Sequence, residues 1–420
     1  MSTMIDILKK YNFWELAPIP TGFIRESYME RIIPYLNTTL IKVLMGQRRT
    51  GKSYLMRQLI DLNIKRGVKR QNILYINKEI PDFDEIKTAD DLKKVIELYK
   101  KTMKPKGKIY LFLDEVQDIK NWEKIVNGLA QDYVDAYEIF ISGSNAFLLS
   151  SELATYISGR YVRFEVFSFS FQEYADFHSL KHDKTSFLKY MEEGGLPELY
   201  QLTNIDSKRN YVSSLIDTVL LKDVVSRFNI KNASLLNETF SFLVDNIGNL
   251  FSYRSIVKFL KQDKVHGSPD TIISYISCLL ETYIVHDALR YDIKGKNILS
   301  GEKKYYLNDL AFRYYTSSSF DEGLGKILEN VVYLHFRRHG YEVYVGTLGN
   351  EEIDFIVEKN GEKKYIQVAY LLSDEHVIKR EFGNLEKISD NFEKIVVSMD
   401  DVSFGNRNGI KHVPVWELGG

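Results

Sequence analysis

At 420 residues the chain is too long for one ordinary core, and about 150 residues per domain predicts two to four domains. Hydrophobic residues at 44% and charged residues at 27% are a globular balance and exclude a disordered chain. With 56 Lys+Arg against 57 Asp+Glu, the net charge of -1 excludes a global basic field toward nucleic acid.

A single cysteine, Cys278, excludes a disulfide framework and any multi-cysteine metal site. Its apolar neighbours Leu279 and Leu280 predict a core position. The start has no apolar signal core, and no stretch is long and apolar enough to span a bilayer, so a cytoplasmic protein is expected. Charge is uneven along the chain. Residues 1–175 carry 26 basic against 22 acidic side chains, and residues 316–420 carry 12 against 18.

In chain order, Phe13 and Trp14 near the start are expected to pack. Strands are then predicted at Thr39–Leu44, Asn72–Ile76, Lys108–Leu113, Glu138–Ser142 and Tyr161–Phe167. Helical periods fall between them at Ser53–Ile64, Asp90–Lys101 and Asn121–Tyr133. This alternation predicts an α/β domain with a parallel sheet wrapped by helices. Helices follow at Ser186–Glu193 and Lys208–Phe228, then at Leu235–Ile247, Ser252–Gln262 and Ser268–Glu281. Strands at Ile284–Tyr291 and Lys304–Leu307 flank a loop with Lys294, Gly295 and Lys296. The last hundred residues return to mixed α/β: a helix at Leu324–His339, then strands at Glu342–Val345, Glu352–Glu358, Lys364–Ala369 and Lys394–Ser398.

Between the first strand and helix, Gly46-Gln47-Arg48-Arg49-Thr50-Gly51-Lys52-Ser53 fits G-x-x-x-x-G-K-[ST]. The glycines let backbone N–H groups face phosphate oxygens. Lys52 reaches the β- and γ-phosphates, and Ser53 offers a hydroxyl to Mg²⁺. ATP and Mg²⁺ are the expected cofactors. Some 60 residues on, a buried strand ends in Asp114-Glu115. After a phosphate loop, Asp114 is expected to hold Mg²⁺ through water and Glu115 to polarise the attacking water. Asn145, after the strand Ile141–Gly143, is a candidate to orient that water, and Ser144 or Asn145 also suits a helix N-cap. Arg160, before the next strand, either reaches the γ-phosphate of a neighbouring subunit, which implies a homo-oligomer, or makes a surface ion pair.

With these pieces in order the chain resembles an AAA+-type P-loop ATPase. It is most similar to prokaryotic ATPases with an AAA_14 domain followed by a DUF4143 domain. Besides the phosphate loop, the likeness is carried by Leu111–Gln117, Ile141–Asn145, Ser158–Arg160, Phe167–Glu173, Gly194–Glu198, Tyr305–Arg313, Glu352–Val357 and Arg380–Leu385. The resemblance implies ATP binding and hydrolysis. Along the chain the expected organisation is an N-terminal extension at 1–20, an ATPase core at 21–175, a helical lid at 176–235, a segment at 236–315 that looks like a winged helix, with three helices and then a hairpin, and a domain at 316–420 that resembles the restriction-endonuclease-like fold. Ser268–Leu280 would be the recognition helix, yet it has no Lys or Arg. The basic residues Lys258, Lys261, Lys264, Lys294, Lys296, Lys303 and Lys304 lie around it. Contact with double-stranded DNA and internal packing both remain open.

In the C-terminal domain, Glu329 and Asp354 fall at the first two acidic positions of a nuclease of that type. Gln367-Val368-Ala369 stands where Glu-x-Lys is required. The expectation is a fold kept without nuclease chemistry, serving a protein partner. The alternative to an ATPase is a nucleotide-dependent DNA- or protein-binding regulator with little turnover.

Overall fold

The structure, a computed structural model, describes residues 3–15, 18–146, 159–262, 268–317, 323–402 and 404–418. It divides into two compact units, Met1–Val166 and Phe167–Gly420.

The first unit is a five-stranded parallel sheet flanked by helices. Its elements are α1 (Met4–Tyr11), α2 (Glu26–Ile32), β1 (Ile41–Met45), α3 (Lys52–Lys65), β2 (Ile73–Asn77), α4 (Ala89–Met103), β3 (Ile109–Asp114), α5 (Trp122–Ala130), β4 (Tyr137–Gly143) and β5 (Tyr161–Glu165). Strand order is β2-β3-β4-β1-β5, all parallel. Alternate residues of β3 feed opposite layers. Ile109, Leu111 and Leu113 join one core with α4 and α5, while Tyr110 and Phe112 join the other with α3. That is why the strand reads as a continuous apolar run. The segment before the sheet is fastened to edge strand β2. Trp14 Nε1 donates to Ile73 O at 2.7 Å, and Asn12 bonds both the N–H and the carbonyl of Tyr75. Phe13 and Trp14 pack on Tyr75 and Tyr99.

The second unit begins with α6 (Phe171–Phe177), α7 (Lys184–Glu193) and α8 (Ile205–Asp217). One helix was expected over Lys208–Phe228. Instead α8 gives way at Thr218 to an eight-residue π-helical stretch ending at Val225, which rotates Val219, Leu220 and Val224 into the core. Next come α9 (Ala233–Asp245), β6 (Leu250–Phe251), α10 (Tyr253–Gln262), α11 (Pro269–Glu281), β7 (Val285–Asp292) and β8 (Asn297–Leu307). The second hairpin strand is longer than expected because its first half, Asn297–Lys303, is polar and largely exposed and shows no alternation.

The chain ends with α12 (Ala311–Thr316), α13 (Leu324–Arg338), β9 (Glu342–Leu348), β10 (Glu351–Lys359), β11 (Glu362–Ala369), α14 (Glu375–Glu386), β12 (Glu393–Ser398), β13 (Asn406–Arg407) and β14 (Ile410–Pro414). A mixed nine-stranded sheet runs β13-β14-β12-β11-β10-β9-β7-β8-β6, so the β7–β8 hairpin is continuous with the C-terminal strands. Three quoted motifs meet inside this unit. Asp309 accepts from the N–H groups of Gly195 and Ala311 at 2.8 and 2.9 Å, and the Phe169 N–H donates to Gly195 O. Cys278 is in the core, where burial first, and then Glu281, pushes its thiol up to about 11.

Candidate functional site

The phosphate loop leaves the carboxyl end of β1. Gly46 has φ 149°, and a Cβ there would sit 2.2 Å from the Val166 carbonyl oxygen, so only glycine fits. Gly51, φ 93°, turns the chain into α3 at a left-handed position. Thr50 Oγ1 donates to Gln47 O at 2.9 Å and closes the loop on itself. The Lys52 side chain folds into the loop. Its Nζ donates to the carbonyls of Gly46 and Gln47, both at 3.0 Å, and lies 3.5 Å from Glu115 Oε1.

Asp114 and Glu115 follow from the end of β3, two strands away but on the same edge. Asp114 is fully buried. Ser142 donates to its Oδ1, and the Tyr75 hydroxyl donates to its Oδ2 at 2.8 Å. Burial first, then the charge of Glu115, pushes the Asp114 carboxyl up against hydrogen bonds from Ser142, Ser53 and Tyr75. Glu115 behaves oppositely. Burial would raise it, but Lys52, Gln117, Arg48 and Ser144 outweigh burial and hold its carboxyl below the ordinary range. Its backbone is left-handed, φ 54°, uncommon for a residue with a Cβ, and its N–H donates to Ser142 Oγ at 3.0 Å. The arrangement therefore pairs one carboxylate beside the Ser53 hydroxyl with another beside an ammonium.

Asn145 is buried just past the end of β4, where Gly143 is in register with Met45, so it lies at the phosphate-loop edge. Ala146, after which the N-cap reading expects a helix to continue to 149, is the last described residue here, and residues 147–158 lie outside the described residues. Arg160 is elsewhere. It precedes β5, whose Tyr161 pairs with Ile41 at the start of β1, so it sits at the opposite end of the sheet from Gly46. It is exposed, with Nη1 3.3 Å from Asn127 Oδ1 on α5. Arg48 is buried and pairs with Glu79, while Arg49 takes a left-handed backbone, φ 69°.

Several contributors escaped sequence reasoning. Arg25 is buried and donates from Nη1 to Thr50 O at 3.0 Å, bracing the loop from outside. Gln58 of α3 holds the same N-terminal segment through the carbonyls of Thr21 and Phe23. Tyr75, Ser142 and Gln117 complete the carboxylate surroundings. Ser142 and Gln117 lay within motifs already noted, without these roles, and Tyr75 lay outside them.

In the second unit, Glu329 projects from α13, Asp354 from β10 and Gln367 from β11. The Asp354 N–H donates to Gln367 Oε1 at 3.0 Å, and Asp354 Oδ2 accepts from the Val368 N–H at 2.8 Å. Of the basic residues counted around the hairpin, Lys304 is internal and Lys303 is half-buried. Lys304 Nζ is buried, 2.8 Å from Glu329 Oε1 and 2.6 Å from Glu352 Oε1, and Lys303 pairs with Asp287 at 2.7 Å. Lys258, Lys294 and Lys296 are exposed, and the side chains of Lys261 and Lys264 lie outside the described residues. Among the described residues no group of three His, Cys, Asp or Glu is placed to hold a metal ion. No helix among them is long and apolar enough to cross a membrane.

The sheet order and the loop at the end of β1 define a P-loop AAA+-type α/β protein with an added mixed-sheet domain. The AAA domain AAA_14 matches residues 38–175, and a domain of unknown function, DUF8612, matches residues 184–322. An uncharacterised protein of Haemophilus influenzae is 35% identical over 380 residues, covering 89% of this chain and 92% of that protein. A second, MJ1544 of Methanocaldococcus jannaschii, is 29% identical over 403 residues, covering 90% and 87%. The chain belongs to this prokaryotic family of AAA_14-type P-loop proteins. Among solved structures, Cdc6p of Pyrobaculum aerophilum aligns over 76% of this chain and 97% of its own at 11% identity. Its TM-score is 0.32.

Proposed function

We propose that this protein binds ATP with Mg²⁺ and hydrolyses it, and that the cycle changes the conformation of a winged helix and a nuclease-like domain. The observation that carries the reading is the gathering of Lys52, Ser53, Asp114 and Glu115 at one edge of a parallel sheet. The residues fit the ligand. The Lys52 ammonium sits within the loop on two carbonyls that an anion would replace. Ser53 and Asp114 form an all-oxygen pair of the kind a hard cation takes. Residues 46–53 would hold the phosphates, and Ser53 and Asp114 the metal. Bound ATP would supply the γ-phosphoryl group, and Mg²⁺ would offset its charge. Glu115, kept ionised, accepts a proton from the attacking water, and Asn145 orients that water. Arg160, remote from its own loop, would serve a neighbouring copy in a homo-oligomer.

The order α9, β6, α10, α11, β7, β8, with β6 paired to β8, supports the winged-helix reading of 236–315. The exposed Lys258, Lys294 and Lys296 are the residues for phosphate contacts with duplex DNA. Helix α13, the β9–β10–β11 meander and β12 parallel to β11 support the nuclease-like reading of 316–420. Lys304 Nζ lies among Glu329, Glu352 and Asp354, the acids a nuclease would turn to a metal, which weighs against cleavage. Residues 21–175 would be the ATPase core and 176–235 a lid.

The test is phosphate release from ATP with and without Mg²⁺, for wild type and Lys52→Ala, with duplex DNA added across a salt series. Mg²⁺-dependent release lost in Lys52→Ala is expected, and full activity in that variant overturns the reading. Stimulation by DNA that fades with salt would support phosphate contacts.

A further inference from the structure

We propose that Gln117 is a positioning residue that aims the Glu115 carboxylate. The inference rests on the ATPase reading and deepens it. Glu115 adopts a left-handed backbone, φ 54°, which persists only where its surroundings hold it. A short 3₁₀ turn, Val116–Asp118, follows at once and brings the Gln117 side chain back beside it. Gln117 Nε2 donates to Glu115 Oε2 at 2.6 Å. The orientation of this amide follows from chemistry, because turning its oxygen toward the carboxylate would set two acceptors face to face. The Gln117 Oε1 is buried without a hydrogen-bond partner among the described residues, so the contact to Glu115 is what the amide is turned for.

The two carboxylate oxygens thus have unlike partners. Oε1 faces the Lys52 ammonium at 3.5 Å, and Oε2 is held by a neutral amide two residues along the same turn. An anion in the loop competes for Lys52, whose other partners are loop carbonyls. It has no such pull on Gln117. Once Lys52 is engaged elsewhere, the amide keeps the carboxylate fixed and leaves Oε1 as the oxygen open to a water proton. A misaimed base loses on the order of 100-fold in rate without losing substrate.

Gln117→Met keeps length and packing but removes the donor, and Gln131→Met on the exposed end of α5 is the control. Two quantities are measured: kcat for ATP hydrolysis and affinity for a non-hydrolysable ATP analogue. In Gln117→Met we expect kcat to fall about 10- to 100-fold and analogue affinity to stay within about twofold. The control should change neither. A kcat within twofold of wild type, or affinity falling in step with kcat, overturns the proposal. Wild-type protein without Lys52-dependent turnover overturns the ATPase reading and this one together. Normal wild-type turnover that Gln117→Met leaves intact overturns this one alone.

Discussion

Lys304 of β8 donates to Glu329 of α13 at 2.8 Å, with both side chains buried, and the same ammonium reaches Glu352 of β10. Glu329 also accepts from the Tyr306 hydroxyl at 2.6 Å and from Lys326 at 2.8 Å. The hairpin strand is therefore tied to the helix and meander that follow it by charge as well as by β pairing.

Removing the ammonium leaves carboxylates buried without their main cation. Lys304→Met should cost about 3–5 kcal/mol of stability in the second unit, because breaking one side of a buried pair strands the other charge. Lys326→Met, whose lysine is partly exposed, should cost about 1 kcal/mol or less. Urea unfolding followed by tryptophan fluorescence compares them, and equal costs would contradict this account.

Asp354 shares that cluster. Burial first, and then the Glu329 charge, pushes its carboxyl up to about 7, against Lys304, the Val368 N–H and Lys326. In the unfolded chain it titrates near the ordinary aspartate value of about 3.9. Between those values the folded state binds the extra proton, so this group's contribution to stability falls as pH rises from about 4 to 7 and is flat above. Asp354→Asn can still accept from Val368 and carries no charge. Its stability relative to wild type should rise across that window, by a few kcal/mol at most, as seen in urea midpoints at pH 5 and pH 8. A constant difference between the two pH values would contradict the shift.

The phosphate loop and Asp114-Glu115 were legible because their chemistry is contiguous: glycines, a lysine and a hydroxyl at fixed offsets, then two acids ending an apolar run. The parallel sheet was legible from its runs and helical periods. What stayed hidden depends on contacts between distant positions. Tyr75 reads as one more strand aromatic until β2 pairs with β3 and puts its hydroxyl on Asp114. Arg25 lies outside any motif, and its target is the Thr50 carbonyl, which sequence does not specify. Lys304 shows the opposite error. Its charge reads as surface in a polar hairpin, yet its register opposite Ala288 turns it inward. The π-helical stretch has the composition of an ordinary helix, and only packing marks where the extra residue is accommodated.

Glu115→Gln separates binding from chemistry at the first unit's site. The amide cannot accept the water proton, so kcat should fall about 10²- to 10⁴-fold. Lys52 loses an anionic neighbour that competes for its ammonium, so affinity for a non-hydrolysable ATP analogue should hold or rise. Turnover assays alongside analogue titration check both. Loss of analogue binding in this variant would show that Glu115 shapes the loop rather than serving the reaction.

Gly194 gives a test of the motif junction in the second unit. Its φ is 77°, and a Cβ there would fall 2.1 Å from Asp309 Oδ1 and 2.7 Å from the Ala311 nitrogen. Asp309 cannot move aside without releasing the N–H groups of Gly195 and Ala311, which it satisfies in a buried setting. Gly194→Ala therefore combines a left-handed penalty of about 1–2 kcal/mol with a clash against a fixed carboxylate. Gly67, φ 95°, has nothing within 4 Å of its Cβ position, so Gly67→Ala carries the backbone penalty alone. The first substitution should lower the thermal midpoint clearly more than the second. If the two midpoints fall equally, Asp309 yields, and the junction of Gly194–Glu198 with Tyr305–Arg313 is looser than its hydrogen bonds imply.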